Sequence, residues 1–114
     1  MEKLNQLESS LVDSIVIENQ EKYPFLNSHI HYLYVISREH TGVGLYSSFG
    51  YTEDLNSKKQ VNDVISSEKI LTVEGLRYEL SYVLDISNGR ISFLEIVTNG
   101  NELWDGKCNG FSLQ

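Results

Sequence analysis

Tyr78-Glu-Leu-Ser-Tyr-Val-Leu-Asp-Ile86 and Arg90-Ile-Ser-Phe-Leu-Glu-Ile-Val97 flank the dipeptide Asn88-Gly89, and the reading of this stretch decides the fold. Asn-Gly between two alternating runs predicts a type I′ β-hairpin, because both central residues of that turn need positive φ and these two adopt it at least cost. A two-residue turn also sets the register. Ser87 then faces Arg90, and one face carries Ile86 with Ile91, Leu84 with Phe93, Tyr82 with Glu95 and Leu80 with Val97. That face is apolar apart from Glu95, so Glu95 and Tyr82 are expected as a buried polar pair. The other face holds Asp85 with Ser92, Val83 with Leu94, Ser81 with Ile96 and Glu79 with Thr98.

Working outward, Lys69-Ile-Leu-Thr-Val73 precedes a Glu74-Gly75 turn that would place Leu71 opposite Tyr78 and extend the hairpin into a meander. His29-Ile-His-Tyr-Leu-Tyr-Val-Ile36 reads as a strand apolar on both faces, and Gly42 to Tyr51 as its antiparallel partner. Glycines in that partner mark a bend, a bulge or a close approach of another group. Between Glu2 and about Gln20, Leu4, Leu7, Leu11 and Ile15 recur at helical spacing, with Glu2, Glu8, Asp13 and Glu18 on the solvated side, and Pro24 ends the segment. Residues 52 to 67 read as a long loop with a helical turn near Val61 to Ile65. Phe111-Ser-Leu113 closes the sheet edge. The expectation is one α+β domain over residues 1–114, its N-terminal helix packed on a twisted antiparallel sheet of about five or six strands, mostly meander.

Composition narrows the function. Sixteen acidic against nine basic residues give a net charge of −7, which repels nucleic acid backbones and anionic lipid and suits a basic protein partner. A single cysteine, Cys108, and the absence of a leader or an apolar run long enough to span a bilayer point to the cytoplasm. His29 and His31, two apart on the expected strand, would share a face and could offer two imidazoles to a metal, with His40 or Glu95 as supplements. The reading without a metal or cofactor treats them as hydrogen-bonded or exposed histidines. Glu95 could act as an acid or base if buried, but no second polar group is evident beside it. Gly42-x-Gly44 lacks the third glycine and helix of a phosphate loop, and Cys108 has no activating base in view.

Thr41-Gly-Val-Gly-Leu45 with Phe49, the run from Leu84 to Thr98 and Glu102-Leu-Trp104 resemble a loose group of small uncharacterised bacterial proteins, several of which look like immunity proteins encoded beside polymorphic toxins. The resemblance covers the last three quarters of the chain. It implies a non-enzymatic module that neutralises a toxin by masking its site. The candidate contacts are Glu39, Glu53, Asp54 and Asp63, with His29 and His31 behind them. Two alternatives stand beside this: a small-ligand or metal-dependent enzyme using Glu95 with His29 and His31, and a homodimer through Val83, Leu94 and Ile96.

Overall fold

The computed structural model describes residues 1–55 and 59–114. Helix α1 spans Gln6–Glu18 and starts at a capping box, in which the Glu8 N–H donates to Asn5 Oδ1 and the Asn5 N–H to Glu8 Oε1, both at 2.8 Å. It begins later than the periodicity suggests because Asn5 caps it; Glu2 instead bridges to Val35. Leu7, Leu11, Val12, Ile15 and Val16 are buried along one face, while Leu4 lies before the helix and packs partly against the core. Each such side chain contributes on the order of 1.5–3 kcal/mol through burial.

The segment after Pro24 departs from expectation. Residues 29–32 are not strand: α2 is a single turn over Leu26–His29, followed by a 3-10 turn over Ile30–Tyr32. Leu26 and His29, three apart, share the buried side of that turn, and core packing at this spacing overrides the local β propensity. Strand β1 therefore starts at Leu33 and runs to His40, paired with β2 (Gly44–Tyr51). A bulge between Val35 and Ser37 leaves Ile36 unpaired and exposed. The glycine signal in β2 is a close approach: a Cβ on Gly50 would meet the Tyr34 ring at 2.6 Å.

Strands β3 (Asp63–Ile65), β4 (Leu71–Val73), β5 (Leu80–Ser87), β6 (Arg90–Thr98) and β7 (Phe111–Leu113) complete an antiparallel sheet of seven strands among the described residues. The order is β1-β2-β6-β5-β4-β7, with β3 also on β5, so the β4–β5–β6 meander receives the β1–β2 hairpin along β6. β3 is the strand missing from the sequence reading, standing where a helical turn was expected. It pairs with residues 84–86 of β5 and β4 pairs with Leu80, which makes β3 and β4 two halves of one interrupted strand. Helix α1 bridges the interruption: Glu18 accepts the Glu68 N–H (2.8 Å) and the Ser67 hydroxyl, and the Asn19 amide donates to the Ser66 carbonyl (2.9 Å). The β4–β5 turn is wider than two residues, so Leu71 faces Leu80 rather than Tyr78; the shift of two residues keeps it on the core side.

The opening hairpin turns at Asn88 (φ 52) and Gly89 (φ 73), as Asn-Gly requires. Ser87 faces Arg90 and Ile86 faces Ile91 as expected, but the register then shifts: Asp85 faces Phe93, Leu84 faces Leu94, Val83 faces Glu95 and Tyr82 faces Ile96. Ser92 is the extra residue. One inserted residue inverts everything beyond it, because side chains alternate with period two. Leu94 and Ile96 thus enter the core, and Glu95 leaves it.

Candidate functional site

The core and α1 occupy one side of the sheet, and the opposite side has no cover among the described residues. The register sets its surface in rows. Glu39, Tyr46, Glu95 and Val83 lie side by side across β1, β2, β6 and β5, and Ser37, Ser48, Phe93, Asp85 and Val64 form the next row. Tyr46 and Phe93 stack across the diagonal, with centroids 4.4 Å apart and planes at 22°. Tyr46 has a carboxylate on each side, and Phe93 has one beside it. Burial raises the Tyr46 phenol above its ordinary value, and the charges of Asp85, Glu95 and Glu39 push it the same way. Neither row contains Lys, Arg or His. Arg90, at the hairpin turn, is drawn over the Tyr51 ring (5.0 Å) and onto Asp54 (2.8 Å).

The acidic residues singled out from the sequence divide between two regions. Glu39 lies on the open face, and Glu95, expected in the core, joins it there as an exposed residue. Glu53 and Asp54 are exposed beyond β2, near the end of the sheet where Arg90 sits. Asp63 opens β3 and accepts the Tyr23 hydroxyl (2.5 Å) and Lys22 (3.4 Å). Its carboxyl is held below the ordinary range chiefly by the Tyr23 bond. Tyr82 is buried as expected, its hydroxyl donating to the Lys69 carbonyl at 2.6 Å.

The histidines part company. His29 is 4% exposed, so it is a core residue rather than a surface contact. Its Nδ1 shares a 2.8 Å hydrogen bond with Tyr51 Oη, which also accepts the Ile91 N–H at 2.8 Å. Burial lowers its pKa and the Arg90 charge adds to the effect, so the ring stays neutral near pH 7. His31 is exposed, beside a groove of about 610 Å³ between α1 and the start of β1. His29 on the helix side and Glu95 on the open side are separated by the sheet, so the enzyme constellation is not assembled. The dimer surface also needs correction: Leu94 and Ile96 are 0% and 1% exposed, and of the three proposed residues only Val83 faces outward.

The sequence reading missed two groups. Phe93 and Val97 were assigned to the core because the bulge at Ser92 has no sequence signature; the Tyr46 ring falls opposite Glu95 only once β2 is known to pair with β6. Glu8, expected in solvent, is 0% exposed. Its carboxylate takes two bonds from Arg38, Nε at 2.8 Å and Nη2 at 2.7 Å, and one from Ser47 Oγ at 2.6 Å, besides the Asn5 cap. Arg38 also bonds Glu2. Burial works to raise the Glu8 pKa, but these bonds and the Arg38 charge outweigh it and leave it lowered. With every partner satisfied, this cluster reads as a clasp between α1, β1 and β2 rather than a reaction centre.

Among the described residues no group of three or more His, Cys, Asp or Glu could hold a metal ion. Burial raises the Cys108 thiol pKa, which reduces its thiolate fraction. No protein-family model, curated protein or solved structure matches the chain.

Proposed function

We propose that the protein is a non-enzymatic binding module that docks its open sheet face on a basic surface of another protein, and that the partner is a toxin whose site it masks, as the resemblance to immunity proteins implies. The observation that carries this reading is the Tyr46–Phe93 stack set among Glu39, Glu95 and Asp85 with no cation in the same rows. Aromatic residues supply contact area in interfaces, and a field of one sign steers a partner of the other. A homodimer through these two rows would gather three carboxylates from each copy with no cation of either row to compensate them, which favours the basic partner.

The test is co-expression with the products of the genes adjacent to this one, screened for a toxin. Wild-type protein should restore growth and co-purify with the toxin. Joint Glu39→Lys and Glu95→Lys substitution should abolish both effects at an unchanged melting temperature, whereas Glu53→Lys with Asp54→Lys should weaken them little. A demonstrated complex that survives reversal at Glu39 and Glu95 would exclude the open face as its interface.

A further inference from the structure

We infer that the open face is an arginine receptor: the partner it fits presents a guanidinium that lies against the Tyr46–Phe93 pair and is held at its edges by the flanking carboxylates. This rests on the docking reading and adds the identity of the anchoring group.

The register carries the argument. Glu39 and Glu95 both pair directly with Tyr46, from opposite sides, so their backbones stand about 5 Å from it and roughly 10 Å from each other. Asp85 pairs with Phe93 in the adjoining row. The two rings use one face each in their stack and are half-buried, so each keeps its other face for a further flat group, with Glu39 and Glu95 paired beside Tyr46 and Asp85 beside Phe93. A guanidinium matches both parts, because it is flat enough to stack on a ring while its in-plane N–H groups reach carboxylates at the sides. An ammonium can satisfy the charge, but its donors do not lie in one plane. Among the described residues, Arg90 at the hairpin turn is engaged by Tyr51 and Asp54.

The experiment compares two probes of equal charge, nona-arginine and nona-lysine peptides, by amide chemical-shift titration of the ¹⁵N-labelled protein at moderate salt. The wild type should bind nona-arginine about fivefold more tightly, with the largest shifts at Tyr46, Phe93 and Glu95. Tyr46→Leu with Phe93→Leu should reduce the preference to about onefold while weaker, charge-driven binding of both peptides persists, and Glu39→Gln with Glu95→Gln should weaken both. Equal wild-type affinities mapped to this face would overturn the arginine receptor and leave the docking reading standing. Shifts elsewhere, or none, would overturn both. Unchanged preference in the leucine variant would show that the rings are not the receptor.

Discussion

A single carboxylate shows how much one position carries. Glu8 caps α1, pairs with Arg38 and accepts the Ser47 hydroxyl, so Glu8→Ala should cost about 2–4 kcal/mol in urea denaturation by removing these bonds together and leaving Arg38 with Glu2 as its remaining carboxylate. Its pH dependence has a definite sign. A carboxyl whose folded pKa is below its ordinary 4.5 contributes stability that is fully present above 4.5 and is lost as pH falls through the folded value. Glu8→Gln should flatten that acid limb, visible as a smaller drop in urea midpoint between pH 6 and pH 3. Tyr51 offers a second case. Tyr51→Phe removes the acceptor of the Ile91 amide and the partner of His29 Nδ1 together, and should cost about 1–3 kcal/mol, read from the melting curve.

Among the elements, the β5–β6 hairpin decides which residues are inside. Asn88-Gly89 located it, and the first two pairs followed from the turn, because turn geometry is local. The Ser92 bulge was not legible: it depends on β2 pairing with β6 and on the helix side accepting Leu94 and Ile96 but not Glu95, and none of these is visible within the hairpin. The same limit hid β3, whose three residues gain strand geometry from residues 84–86 of β5. Helix α1 was readable from its apolar period, yet Glu8 looked solvated because its partner Arg38 lies thirty positions away on another element. Deleting Ser92 should close the bulge while keeping Phe93 opposite Asp85 and Leu94 opposite Leu84, so Leu94 and Ile96 stay inside and Glu95 outside. The deletion should cost about 1–3 kcal/mol through local strain and keep a cooperative transition in circular dichroism, and Ser92→Ala should stay within about 1 kcal/mol of wild type.

At the scale of the whole molecule, the α+β architecture follows from one helix lying on one side of one sheet, which leaves the other side to the partner proposed above. The open face was half legible. Its charge is present in the composition, whereas the gathering of Tyr46, Phe93 and Glu95 required the strand order. Helix α1 also touches both halves of the sheet, through Glu8 to β1 and β2 and through Glu18 and Asn19 to residues 66–68 between β3 and β4. Neither half of the sheet can therefore open without breaking a helix contact. In native-state hydrogen exchange, the amides of Leu11 to Val16 and those of β2 and β5 should open as one cooperative unit, with a shared free energy and a shared denaturant slope. Glu18→Gln should detach the β3–β4 margin from that unit and let its amides exchange earlier, while the unit itself keeps its opening energy.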